Sequence, residues 1–248
     1  MERVLYAELT PRRFRQRIEA APIAYLPLGT LEWHGEHLPL GADGLQSQGF
    51  FIELARKAGG VVLPMLFLGP DLRQEHDGRD YYGMDVLSFP GEPPRQLTGS
   101  AYWVDQEFFE QLLERIMRQL KRAGFRIVVA HGHAPSVQAF LGKTACWQDE
   151  LGLKTFMCWR GDESDGMGIQ TDHAAANETM LVMALRPDLV EMDNLDPDPN
   201  VAPVGVGGED PRVHASPERG RRAIEMNVQR MAELLEQALR DLTAAERS

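Results

Sequence analysis

The sequence predicts an α/β fold in which a mainly parallel sheet is covered by helices on both faces. Three observations carry that prediction. Short apolar runs stopped by glycine alternate with longer segments whose apolar residues recur at helical spacing. The 248 residues suffice for one full core, and no repeat or linker divides them, so residues 1–248 read as a single domain. Hydrophobic residues make up 43% and charged residues 25%, a globular balance that excludes disordered, collagen-like and coiled-coil chains.

Thr10-Pro11 opens the first helix, with threonine as cap and proline at the first helical position. Arg12, Arg13, Arg15 and Arg17 sit among glutamates there and read as a solvated helix face. Residues 23–28, an apolar run broken by Gly29, read as a buried strand. A helix over 45–58 closes on Gly59-Gly60. A strand over 61–67 follows, against which Pro64 is a mild objection. Periodicity vanishes over 69–100, a loop long enough to be functional or mobile. Phe108, Phe109, Leu112, Leu113, Ile116, Met117 and Leu120 mark the best helix, and a strand over 125–130 runs into His131-Gly132-His133. A helix over 136–150, a strand over 153–159 and a helix over 174–185 come next. A loop over 194–212 leads to a last helix that begins at Ser216-Pro217-Glu218.

Charge narrows the partners. Lys and Arg number 26 against 37 Asp and Glu, and the net charge of −11 opposes a nucleic-acid groove, which draws affinity from clustered cations. Cys146 and Cys158 show no disulfide framework, and no apolar signal core or membrane-spanning run is present. A soluble, reduced, cytoplasmic protein is expected.

The densest chemical signal is Gly29-Thr30-Leu31-Glu32-Trp33-His34-Gly35-Glu36-His37-Leu38-Pro39-Leu40-Gly41-Ala42-Asp43, at the carboxyl end of the first strand. Ligands of open α/β sheets bind outside such strand ends. Glu32, His34, His37 and Asp43 form a mixed carboxylate and imidazole set that suits Zn, Mn or Fe, and one carboxylate can bridge two such ions. A polar turn whose histidines merely satisfy backbone groups would use the same residues. His131 and His133, at a second strand end, make that reading fail for both clusters at once. Third comes Thr171-Asp172-His173-Ala174-Ala175-Ala176-Asn177-Glu178-Thr179, which opens a helix. Thr171 or Asp172 could simply cap it, while His173 and Glu178 could converge on a site near its N-terminus.

Together these segments resemble the creatininase (creatinine amidohydrolase) family. The family patterns LPLGSxExHGxHLPLGTD, NGHGGN and HAGxxETS read here as LPLGTLEWHGEHLPLGAD, AHGHAPS and DHAAANETM. GVGGEDPRVHASPERGR matches the family's GDPRxAxxExG stretch, so the likeness runs from about residue 25 to 225. The resemblance implies a three-layer α/β/α sandwich and a homo-oligomer, a hexamer in creatininase itself. It also implies one or two divalent ions per chain (Zn, Mn or Fe), held by Glu32, His34, Asp43 and His133, with Asp43 bridging. His173 would shuttle protons, Glu178 would be a ligand or supporting carboxylate, and His131 would add a ligand or acid where the family has Asn.

Creatininase follows its midway motif with Tyr-Glu, whose glutamate binds the second ion. This chain has Ala134-Pro135, so that ion either needs another carboxylate, of which Glu178 is the nearest, or is weakly held. The stretch before Phe89-Pro90-Gly91 is also expanded, with Arg73, His76, Asp77, Arg79, Asp80 and Asp85, and Gly78 and Gly83 as hinges. The expected activity is hydrolysis of a cyclic amide or related polar cyclic carbonyl compound by metal-activated water, with creatinine a poor substrate. The rival readings are C–C cleavage of a cyclic polyol ketone, a metal-dependent isomerase or lyase, and a non-catalytic metal-binding scaffold.

Overall fold

The computed structural model describes residues 2–245. A four-stranded, wholly parallel sheet has the order β2-β1-β5-β6, with β1 Ile23–Leu28, β2 Val61–Val62, β5 Ile127–Gly132 and β6 Lys154–Phe156. The pair β3 Arg73–His76 and β4 Arg79–Tyr82 forms a separate antiparallel hairpin. Helices run in the order α1 Pro11–Ala20, α2 Ala42–Ala58, α3 Met84–Leu87, α4 Gln106–Arg122 and α5 Ala134–Leu141. They continue with α6 Thr144–Leu151, α7 Ala176–Leu185, α8 Pro211–His214 and α9 Pro217–Ala245.

The two-residue period of a strand sorts the core into two halves. Ile23, Tyr25, Ile127 and Val129 face a cluster built from α2, α7 and α9, including Phe50, Leu54, Leu181 and Leu235. Ala24, Leu26, Val128 and Ala130 face the opposite cluster, with Phe109, Leu113, Phe140 and Trp147 from α4, α5 and α6. Burial on both faces explains why β1 and β5 are continuous apolar runs rather than alternating ones. The protein is a three-layer α/β/α sandwich. Among the described residues no helix is long and apolar enough to cross a membrane.

Several elements differ from their sequence expectation, each for a local reason. The strand expected over 61–67 ends at Val62; after Pro64 the chain returns to the sheet only at Leu66, bridged to Leu28. The helix expected over 136–150 is two helices, α5 and α6, separated by Gly142-Lys143. The strand expected over 153–159 is only three residues long: it pairs with β5 from Ile127 to Val129, and β5 runs on to Gly132 beside β1. α2 begins three residues early, which places Asp43 in its first turn, and α7 begins two residues late because Ala174 has φ +52°. Residues 69–100 are not featureless, since they contain the β3–β4 hairpin and α3. Asp85 is buried, accepting from the amides of Tyr82 and Leu97 at the hairpin's base. Nor is Arg17 solvated: its guanidinium donates to the carbonyls of Gly60 and Ala55 and pairs with Glu2.

Candidate metal centre

The loop after β1 supplies Glu32 and His34, the first turn of α2 supplies Asp43, the end of β5 supplies His133, and α7 supplies Glu178. β1 and β5 are neighbours, so their two ligand-bearing ends lie side by side. Gly132 permits it: its φ is +139°, and a Cβ there would fall 1.6 Å from the Leu28 carbonyl oxygen. Three sets of ligand-type side chains each offer atoms within 4.8 Å of one another. These are Glu32, His34 and His173; Glu32, Asp43 and His133; and His34, Asp43 and Glu178. Asp43 belongs to two of the sets.

Hydrogen bonds to carbonyls decide which imidazole nitrogens carry lone pairs. His34 Nδ1–H donates to the Glu32 carbonyl at 3.0 Å, leaving Nε2 as the acceptor. That Nε2 is buried with no hydrogen-bond partner among the described residues, 3.6 Å from both Asp43 Oδ2 and Glu178 Oε2. His133 is the reverse tautomer: Nε2–H donates to the Pro70 carbonyl at 3.2 Å, and Nδ1 lies 3.2 Å from Asp43 Oδ2 and 3.5 Å from Glu32 Oε2.

Without a cation these groups hold protons instead. Burial, aided by Asp71 and Asp43, pushes Glu32 up to about 8 despite His133 and His34. Burial and Asp43 raise Glu178 well above the carboxyl range. Burial alone would raise Asp43 and lower both histidines. Instead Asp43 is held well below the carboxyl range by His34 and His133, and both imidazoles are raised by the carboxylates around them. A buried set so short of positive charge, with an orphaned imidazole nitrogen aimed into it, fits divalent metal.

His173 stacks on His34 with ring centroids 4.4 Å apart, and its Nε2–H donates to the Trp33 carbonyl at 2.9 Å. Burial and the nearby His34 push it down to about 4. Asp172 is the cap of the α7 entrance, accepting from the amides of Asn177 and Glu178. His37 and His131 stand apart from the ligand sets. His37 donates to Thr179 Oγ1 at 2.9 Å, and His131 Nε2–H donates to the Ile169 carbonyl at 3.0 Å. Burial pushes both down to about 4.

Two residues here carry no sequence motif. Asp71, with its side chain 6% exposed, sets Oδ2 3.4 Å from His133 Nε2. Gln170 donates from Nε2 to Asp43 Oδ1 at 3.0 Å and has φ +53°, a left-handed conformation that costs a side-chain-bearing residue about 1–3 kcal/mol. Neither has a recognisable spacing; the mixed polar loops that hold them are the only signal. Beside the cluster opens a cleft of about 750 Å³, lined by Asp71, Arg73, Asp80, Trp103, Pro135 and Gln138 among others. Trp103 stacks on Tyr82 of the hairpin and lies 6.0 Å from the His133 ring. Pro135 lies in the first turn of α5, where its side chain offers no ligand atom and walls the cleft.

A sequence model described as creatininase, creatinine amidohydrolase, matches residues 7–235. A creatinine amidohydrolase of Pseudomonas putida is 24% identical over 265 residues, covering 94% of this chain and 96% of its own. The crystal structure of a creatinine amidohydrolase (creatininase) superposes with a TM-score of 0.73 at 24% identity, covering 96% of this chain and 98% of that one. Two further creatininase structures, a variant of Zn–Zn type and a form described as Mn, give TM-scores of 0.72 and 0.69 at 22% identity. Each covers 96% of this chain and 99% of its own. At such identities the structural likeness concerns the fold.

Proposed function

The chain belongs to the creatininase family, and on that premise we propose that it is a divalent-metal-dependent hydrolase of a cyclic amide or a related polar cyclic carbonyl compound. The observation that carries the reading is the pair of ligand sets meeting at Asp43, each with an imidazole whose tautomer is set by a backbone carbonyl. Glu32, Asp43 and His133 would hold one ion, and His34, Asp43 and Glu178 the other, Glu178 standing in for the carboxylate lost at Pro135. Bound divalent ions supply a polarised carbonyl and water acidic enough to attack near pH 7.

The chain's own residues do the rest. His173 is neutral at pH 7 and its Nε2–H is committed to the Trp33 carbonyl, so Nδ1 is the nitrogen free to act. It takes the proton of the attacking water and delivers it to the leaving nitrogen. Trp103 and Tyr82 offer an aromatic wall, and Arg73, Asp80 and Gln138 offer donors and acceptors to a polar ring.

The reading is tested by incubating Mn-, Zn- and Fe-loaded protein with cyclic amides, formamides and keto-inositols in ¹⁸O-water. Solvent oxygen fixed in a new carboxylate is the expected result. Turnover without it would make the protein an isomerase or lyase. His173→Ala should keep its metal while kcat falls on the order of 10²–10⁴-fold; loss of metal in that variant would make His173 a ligand.

A further inference from the structure

The two oxygens of Asp43 have different surroundings. Oδ2 is the one facing the imidazoles, 3.2 Å from His133 Nδ1 and 3.6 Å from His34 Nε2. Oδ1 instead accepts from Gln170 Nε2 at 3.0 Å. From this we propose that Gln170 is a positioning residue for metal binding: it occupies Oδ1 and so reserves Asp43 Oδ2 as the oxygen that both ligand sets share. The inference rests on the metal reading above.

The amide is well suited to that task. Its Oε1 accepts from Ser47 Oγ at 2.8 Å, and its Nε2 also donates to the Asp43 backbone carbonyl at 3.2 Å. A flipped amide would set its oxygen against Asp43 Oδ1 and the Asp43 backbone carbonyl, so only one orientation satisfies the partners. Ser47 and Asp43 lie one turn apart on α2, and the clamp therefore closes on the helix that carries the ligand. The Gln170 carbonyl accepts from Trp159 Nε1 at 3.1 Å, which fixes the backbone in its left-handed conformation. Ser47 and Gln170 are 0% and 5% exposed, so water does not compete for these bonds. A neutral donor is also what the place requires. Lysine or arginine there would neutralise the carboxylate and repel a cation, whereas an amide orients it and adds no net charge.

The test uses the full chain, stripped with EDTA and titrated with Mn²⁺ by calorimetry, with the metal-free melting temperature measured alongside. Gln170→Gly keeps the left-handed backbone and removes the amide. Gln170→Asn tolerates the same backbone and falls one methylene short. Both should bind Mn²⁺ on the order of 10–100-fold more weakly, and Ser47→Ala, which only frees the amide, should show a smaller loss in the same direction. A lowered melting temperature with Mn²⁺ affinity unchanged in all three would overturn the assignment and leave Gln170 a structural residue. Asp43→Ala separates the two levels: if it loses Mn²⁺ while the Gln170 variants do not, only the Gln170 inference fails. If it retains Mn²⁺, the metal reading fails with it.

Discussion

Residues 32–43 and the hairpin at 73–82 carry similar loads of Asp, Glu, His and Arg, yet their polar groups live under opposite conditions. In the first, Glu32, His34 and Asp43 are almost fully buried and face partners from two other segments. In the second, Arg73 and Asp80 pair across the strands at 2.8 Å with side chains 62% and 36% exposed. A buried charge must find its partner or shed its charge, whereas an exposed one exchanges its partner for water at little cost. Burial, more than composition, therefore marks which polar residues carry chemistry. The two regions touch at Gly83, where a Cβ would come 2.5 Å from Asp71 Oδ2 and 2.6 Å from Glu32 Oε1.

That contrast can be broken in stages. The largest effect belongs to Asp43→Ala, which should abolish stoichiometric metal and nearly all turnover; elemental analysis finding full metal content would remove Asp43 from the centre. Next is Gly83→Ala, where the two regions meet. Its φ of +50° and the two carboxylates leave no room for a methyl group, so the variant should lose about 1–3 kcal/mol in denaturant unfolding and bind metal more weakly. An unchanged unfolding midpoint would mean that the hairpin base yields freely.

A smaller effect is one of pH. Metal-free Glu32 titrates near 8 against 4.5 when unfolded, so the folded chain keeps a proton that the unfolded chain has lost. That contribution is complete below about 4.5 and drains away as pH rises toward 8. The raised His34 and His133 act in the same sense, and the lowered His37, His131 and His173 are neutral in both states above their ordinary 6.5. The melting temperature of EDTA-treated protein should thus fall between pH 7 and 8, with a shallower slope in Glu32→Gln; an equal slope would place the titrating group elsewhere. The smallest effect is that of Arg73→Ala, whose exposed pair should leave melting temperature and metal content unchanged and alter at most KM. A large loss of metal there would couple the hairpin's outer edge to the centre.

The same contrast explains what could be read in advance. The apolar strands, the α4 stripe and the three motif segments were legible because the core imposes a period and the ligand types cluster at strand ends. The hairpin was not, although Asp77-Gly78, both at positive φ, is a strong two-residue turn signal. Its strands are polar on both sides and show no alternation to accompany the turn. Gln170 and Asp71 were invisible for another reason. Each is a common residue in an irregular loop, and its importance comes from where a distant part of the chain arrives. His131 illustrates the converse: adjacent to the site in sequence, it is turned to Ile169 while His133, two residues on, points at Asp43.

The parallel pairing of β1 with β5 also has a consequence in time. Ile23 is matched with Ile127, and the centre is finished only by Glu178 on α7. During synthesis the motif at 32–43 leaves the ribosome long before either partner exists. The set containing His133 cannot form on the nascent chain until β5 has docked, and the set containing Glu178 must wait for α7. Ions bound early by a fragment would meet only part of their ligands, so tight metal uptake reports that the sheet has closed and the last layer of helices is in place.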